Sequence, residues 1–231
     1  MAEFQFSNEQ VFTEIYKSGK WGAKVTDEQP FYSGPGSYGE NAKEYVAFLT
    51  AFIKQNEIKA ITDIGCGDFA IGSQIVKQNP AIKYNGCDVV RDLIEYNNEK
   101  YGTSSVKFFQ IDAANGTIPA ADLITVRQVL QHLSNAEISK VLNNIKSFKY
   151  VLVTEHQLKE GTEISFNKDK KTNADYRLSE GSAVYLDKSP FYIACEEVFS
   201  CREDVYVENP DIENDWIKKE AFLRTFLIKN F

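Results

Sequence analysis

The chain is poor in the residues that staple a fold, bind metal or span a bilayer. Its four cysteines, Cys66, Cys87, Cys195 and Cys201, form no Cys-x-x-Cys pair, and His132 and His156 are its only histidines. That argues against a disulfide framework and leaves too few ligands for a zinc site, so no metal is expected. No apolar run approaches the roughly 20 residues that cross a bilayer. The opening Met-Ala-Glu-Phe-Gln-Phe has no basic segment ahead of an apolar one, so neither a membrane span nor a leader is expected, and the expected location is cytoplasmic. Basic residues are the minority, 26 Lys and Arg against 33 Asp and Glu, for a net charge of −7. Because phosphate contacts need clustered cations, nucleic acid is not an expected partner. The one dense basic run, Lys168, Lys170 and Lys171, reads as a solvated loop. Neither repeats nor low-complexity segments appear, and 231 residues fit one α/β domain with additions.

What is present centres on Ile61 to Gly72. Ile58, Ala60, Ile61 and Ile64 suit a buried strand that runs into Gly65 and Gly67, which allow a tight turn and a close ligand. Asp68 can cap the helix that follows, with Ile71, Ile75 and Val76 as its apolar stripe. About 21 residues after Gly67, a second strand, Lys83 to Cys87, ends in Asp88, an acid placed to accept both hydroxyls of a ribose. Gly65-x-Gly67-x-x-Ala70 satisfies a dinucleotide fingerprint, but the charges oppose a pyrophosphate. Asp63 and Asp68 flank the glycines, and no cation follows until Lys77. Two like charges about 5 Å apart cost about 3 kcal/mol at an effective dielectric near 20. S-adenosyl-L-methionine carries adenosine without phosphate, and its sulfonium and ammonium suit an acidic turn.

Asp63, Gly65, Gly67 and Asp88 match the first two motifs of the class I S-adenosylmethionine-dependent methyltransferases, which this chain resembles over roughly residues 58 to 156. Phe69 stands where that family commonly has a third glycine. The resemblance extends through Asp112-Ala113 after the third strand and Asp122 to Arg127 in the fourth. It implies that Asp112 holds the adenine amino group, with Val89 and Ala113 beside the two acids, and that the end of the fourth strand, at Arg127, faces the methyl group. Tyr16, Trp21-Gly22, Ser33-Gly-Pro-Gly-Ser37 and Asp63 to Phe69 together resemble a group of small bacterial members of the class. In that group the amino-terminal segment is implied to close over the cofactor, which places Tyr16, Trp21 and Ser37 at the site, Ser37 near the methionine carboxylate.

The remaining pattern supplies the frame. Helices are predicted at Asn8 to Lys17, capped by Ser7, at Glu40 to Asn56 with Tyr45, Phe48, Leu49 and Phe52 inward, and at Val89 to Tyr101. A further helix capped by Ser134 or Asn135 should run to Ser147. Strands are predicted at Val106 to Ile111, Asp122 to Val126 and Tyr150 to Thr154, with closing antiparallel strands between Pro190 and Cys201 and from Ala221 to Ile228. Trp216 and the acidic stretch before it read as a loop or short helix. The expected fold is α/β, a Rossmann-like, doubly wound, mostly parallel seven-stranded sheet with a helical amino-terminal extension. Residues 1–57 would be lid and extension, 58–156 the cofactor core, and 157–231 an acceptor cap with closing strands, all one domain.

Methyl transfer from a sulfonium is an in-line displacement that needs alignment and, for an alcohol or amine, a base. His132 and His156, after the fourth and fifth strands, are the candidate catalytic residues, with Glu155 and Asp175 as alternative bases. The irregular stretch from Gln157 to Pro190 reads as an acceptor-binding cap. Glu155, Asp175, Tyr176 and Arg177 are its candidate substrate contacts. An anionic acceptor would need no base, and Arg127, Arg177 or the lysine run could hold it. The acceptor is expected to be a small molecule or a carbohydrate-linked group, and the resemblance implies a link to bacterial surface polysaccharide. A nicotinamide-dependent oxidoreductase and a noncatalytic S-adenosylmethionine binder remain the alternatives. The sequence assigns no oligomeric state.

Overall fold

The computed structural model describes residues 6–22, 29–162, 164–208 and 216–228. Helix α1 (Asn8–Ser18) starts at a reciprocal cap, in which the Ser7 hydroxyl accepts the Gln10 amide and the Gln10 side chain accepts the Ser7 amide. Gly19 ends it in the left-handed conformation, φ 65°. A 3₁₀ turn at Pro35–Ser37 then leads into α2 (Gly39–Gln55), whose Tyr45, Val46, Leu49 and Ile53 are buried.

Five strands follow, β1 (Ala60–Ile64), β2 (Lys83–Asp88), β3 (Val106–Gln110), β4 (Leu123–Arg127) and β5 (Tyr150–Leu158). They pair in parallel and are joined by helices that include α3 (Ala70–Gln78), α4 (Arg91–Tyr101) and α5 (Asn135–Ile145). Period-two alternation sends successive side chains to opposite faces. Ile61, Leu123 and Leu152 pack against α2 and α3, while Ile124, Val126, Val151 and Val153 pack against α5. Both faces are apolar because both are covered.

Beyond β5 come the short pair β6 (Ser165–Phe166) and β7 (Ser182–Ala183), then β8 (Cys195–Arg202), β9 (Val205–Glu208), β10 (Trp216–Lys219) and β11 (Ala221–Ile228). Strand β11 inserts antiparallel between β5 and β8, giving the seven-stranded order β3-β2-β1-β4-β5-β11-β8. The chain steps outward from β1 to β2 and β3 and then crosses back to β4 on the other side of β1, so the strand order reverses between β1 and β4, where open α/β sheets bind ligands.

Two local expectations change. Trp216 begins strand β10, paired with Glu208, while the acidic stretch before it lies outside the described residues. Strand β5 does not stop at Thr154, because antiparallel pairing with β11 carries it on to Leu158. Glu155 and His156 are therefore strand residues on opposite faces of the sheet, and only one of them can look into a given site.

Candidate functional site

A cleft of about 700 Å³ opens over the carboxyl ends of β1, β2, β4 and β5, within the size range of small-molecule sites. Its floor is the glycine turn. Gly65 and Gly67 have φ of 72° and 53°, and a Cβ on either would lie 2.3 Å from Val129 Cγ2 or from Ser33 Oγ, respectively. Phe69, in the third glycine's place, takes the glycine-like left-handed conformation itself, φ 65°. That costs a non-glycine residue about 1–2 kcal/mol. Its ring is buried 4.9 Å from Phe108 and 5.2 Å from both Tyr84 and Tyr101, and burial of such a ring returns about 1.5–3 kcal/mol.

Asp88 hangs at the lip of the turn. Its Oδ2 accepts the Gly67 amide at 3.2 Å and its Oδ1 the Val90 amide at 3.1 Å. Burial pushes its pKa up to about 6, against the pull of those amides. Asp63 is braced from inside by the Tyr84 hydroxyl at 2.5 Å and Thr125 Oγ1 at 2.7 Å, and burial raises its pKa too. Asp112, beside Ala113 and Val89 in the cleft wall, closes its own loop by accepting the Ala114 amide at 2.9 Å and Asn115 Nδ2 at 2.8 Å.

Asp68 does not cap α3, whose N-cap position is Phe69 and carries no side-chain bond; it braces the turn before it. Its Oδ1 accepts the Ala70 amide at 3.2 Å, but its Oδ2 accepts the Ser33 amide at 2.9 Å and the Tyr38 hydroxyl at 2.8 Å. In return Ser33 Oγ accepts the Asp68 amide at 2.8 Å and pairs with Tyr16 Oη at 2.8 Å. The amino-terminal segment is thus latched onto the turn through Ser33. Ser37 lines the cleft within its 3₁₀ turn. Arg127 donates to the Gly36 carbonyl at 2.7 Å and lies 5.1 Å over the Tyr45 ring. Both contacts fix it beneath that turn, and burial lowers its pKa.

The opposite wall carries the histidines. Trp21 donates its indole N–H to the Ala174 carbonyl at 3.0 Å and lies 5.1 Å from the His132 ring. His132 Nε2 faces Gln131 Nε2 at 3.4 Å, so the imidazole proton belongs on Nδ1, which is buried with no hydrogen-bond partner among the described residues. Burial, reinforced by Lys170, pushes the His132 pKa down to about 4, so the ring is neutral at pH 7. His156 Nδ1 faces Gln128 Nε2 at 3.4 Å, and its Nε2 lies 3.6 Å from Glu203 Oε2. Since Gln128 offers an N–H, the imidazole proton belongs on Nε2, toward Glu203. Asp175 and Tyr176 line the cleft, and the Tyr176 hydroxyl donates to the Tyr206 carbonyl at 2.9 Å.

Glu155 and Arg177 are not in the wall, which corrects their place as substrate contacts and Glu155's as a base. Each is 1% exposed. Glu155 Oε1 accepts the Leu130 amide at 2.8 Å on the face of β5 away from His156, and burial pushes its pKa up to about 8. Arg177 donates to the Leu133 carbonyl at 2.7 Å, to Asn135 Oδ1 at 2.9 Å and to the Lys168 carbonyl. Together they hold the turn that presents His132 and pin the following segment to it. Lys170 is likewise committed, to Glu180 at 3.1 Å and to the Asp175 carbonyl. Of the cations named for an anionic acceptor, Arg127, Arg177 and Lys170 are therefore spoken for.

Sequence reasoning missed Gln128, the Ser33 side of the latch, and Glu203 to Tyr206, all of which line the cleft. Ser33 stood inside a quoted motif whose weight fell on Ser37. Glu203 sits in an Arg-Glu-Asp run that reads as a solvated turn. Only the closing of β8 on β11, with the Glu203 amide donating to the Ala221 carbonyl at 2.9 Å, brings it beside His156.

Comparison with known proteins places this geometry. Residues 62–148, from within β1 to just past α5, match the methyltransferase domain family. No curated protein matches the chain. Among solved structures, the N-methyltransferase NodS from Bradyrhizobium japonicum WM9, in complex with S-adenosyl-L-homocysteine, is similar at 15% identity and a TM-score of 0.57, covering 93% of this chain and 98% of that one. TehB from Haemophilus influenzae is similar at 14% identity and a TM-score of 0.51, covering 79% and 62%. At such identities these two speak for the fold alone. The family match spans less than half of the chain and is set on the glycine turn and its acids, so it marks this core as similar to a methyltransferase domain.

Proposed function

We propose that the cleft holds the adenosine of S-adenosyl-L-methionine across Asp88 and Asp112, with the methionine end between the Gly65–Gly67 turn and the Gly34–Ser37 segment. The methyl group is passed to a small-molecule or carbohydrate-linked acceptor entering past Trp21, Asp175 and Tyr176. The observation that carries this is Asp88, held at the lip of the turn by two backbone amides with a cleft in front of it. Asp63, Asp68, Asp88 and Asp112 all line the same cleft, and that field favours a sulfonium and an ammonium over a pyrophosphate. The residues fit the cofactor also in shape, since the two glycines keep the floor free of side chains.

Bound S-adenosylmethionine would supply an electrophilic methyl group. The chain's own work is to align, to dry and to move a proton. The Ser33–Asp68 latch and the Trp21 tie to Ala174 close the amino-terminal segment over the cleft and exclude water. Neutral His132 offers the lone pair of Nε2, which faces the Gln131 side-chain amide at 3.4 Å, to the proton that an alcohol or amine must lose as its bond to the methyl carbon forms. His156 has both nitrogens turned to protein groups and positions rather than abstracts. A carbohydrate-linked acceptor, with a role in surface polysaccharide synthesis, rests on the Ser33–Ser37 resemblance. Thermal unfolding with S-adenosylmethionine, S-adenosylhomocysteine, NADH and NADPH tests the reading, since ligand at a hundred times its Kd stabilises by about 2.7 kcal/mol. Shifts with the two sulfur compounds alone support it, and a shift with NADH alone returns the chain to the oxidoreductases.

A further inference from the structure

Beyond β4 the cleft continues past the cofactor's place toward β5 and β11. Along the carboxyl edge of the sheet, the ends follow one another as Asp88 on β2, the Gly65 turn after β1, Gln128 after β4 and His156 on β5. Glu203 comes next, tied to Ala221 of β11. Three steps of about 4.8 Å separate Asp88 from His156, about 14 Å in all. With adenosine at Asp88 and the methyl group before β4, the body of the acceptor lies over His156 and Glu203.

The His156 side chain is 9% exposed and lines the cleft, and its Nε2 points toward Glu203 but has no partner within hydrogen-bond distance among the described residues. Glu203 Oε2, 3.6 Å away, likewise has none among them. Burial opposes ionisation of Glu203, but His156, Asn41 and Arg127 outweigh it and hold the carboxyl below its usual range. Asp175 and Asp204 stand in the same wall, together with Tyr176 and Tyr206. Asp204 is matched by Arg202 at 2.8 Å and Lys218 at 3.2 Å, whereas Glu203 and Asp175 face the cleft. Arg127 is held under Gly36 and Lys170 by Glu180, as described above. Two carboxylates with two aromatic rims make a place for a cation; Glu203 Oε2 is the acceptor on which its N–H bond ends, and the His156 Nε2–H, 3.6 Å away, orients that carboxylate.

We propose that Glu203, positioned by His156 and Gln128, docks a basic nitrogen of the acceptor, so that the substrate is an amine-bearing small molecule such as an amino sugar. This rests on the methyltransferase reading. The test is calorimetric titration of the full chain, saturated with S-adenosylhomocysteine, with glucosamine against glucose and ethanolamine against ethylene glycol. Each amine should bind more tightly than its neutral counterpart by about tenfold or more, the size of a hydrogen bond to a charged group. Glu203→Gln should erase that preference while S-adenosylhomocysteine still binds, which also reports that the variant is folded. Added salt should weaken the amines selectively in the unmodified chain, a readout that does not depend on the variant. Equal binding of amine and neutral probes, or an unchanged preference in Glu203→Gln, overturns the proposal. If S-adenosylhomocysteine itself fails to bind, it is the methyltransferase reading that falls.

Discussion

Asp88 ties cofactor affinity to pH in a way that can be worked out in advance. Its carboxyl is pushed up to about 6 by burial, while the Val90 and Gly67 amides keep it from rising further. Two ribose hydroxyls donate to the ionised form and find no acceptor of equal strength in the protonated one. Binding therefore requires the carboxylate, and affinity must fall as pH drops through 6. With a free-protein pKa of about 6, the fraction competent to bind changes from about nine-tenths at pH 7 to about one-tenth at pH 5. That is about a tenfold rise in Kd, or 1.4 kcal/mol. The cofactor's own α-amino group, titrating near 8, stays protonated over this window, and His132, at about 4, stays neutral. Titration calorimetry with S-adenosylhomocysteine at pH 5, 6 and 7 reads the slope directly. Asp88→Asn should bind more weakly at every pH and show no slope. A pH-independent Kd in the unmodified chain, or the same slope in Asp88→Asn, would refute the reasoning.

Other outcomes follow from the same geometry. Gly67→Ala puts a methyl group 2.3 Å from Ser33 Oγ at a φ of 53°, so the left-handed penalty alone should lower stability in urea unfolding by about 1–2 kcal/mol; an unchanged midpoint would mean that the turn does not hold this conformation. Glu155 has its pKa raised from 4.5 to about 8, so it contributes stability that is complete below 4.5 and lost as pH rises through 8, up to about 5 kcal/mol. Urea unfolding of Glu155→Gln should lack that slope and show a gain over the parent at pH 9. Arg177→Met removes three hydrogen bonds from a buried cation and should cost about 3 kcal/mol or more in the same assay; a loss below 1 kcal/mol would show that the segment after β5 is held by other contacts.

Most of the frame was legible because it rests on local chemistry. Ser7 and Ser134 cap helices through side chains three residues on, and the parallel strands are apolar on both faces, so periodicity and capping find them without a partner in view. Asp63, Gly65, Gly67 and Asp88 were legible for the same reason, since one strand-turn-helix-strand unit contains them all. Glu155 and His156 were not, because which face each takes depends on how far β11 extends β5, a pairing between residues about 70 positions apart. Arg177 looked like a substrate contact because a lone arginine in an irregular stretch gives no local sign that carbonyls from Leu133 and Lys168 surround it. Glu203 became visible only when the antiparallel strands closed. Phe69 illustrates a different limit: a motif that wants glycine for its backbone can take a ring when the neighbours bury it.

The most direct measurement is a crystal structure of the chain grown with S-adenosylhomocysteine. The account predicts the ribose hydroxyls on the Asp88 carboxylate, the adenine beside Asp112, and the sulfur above the Gly65–Gly67 turn, facing the end of β4. Ligand density elsewhere in the cleft, with Asp88 bonded only to Gly67 and Val90, would contradict it.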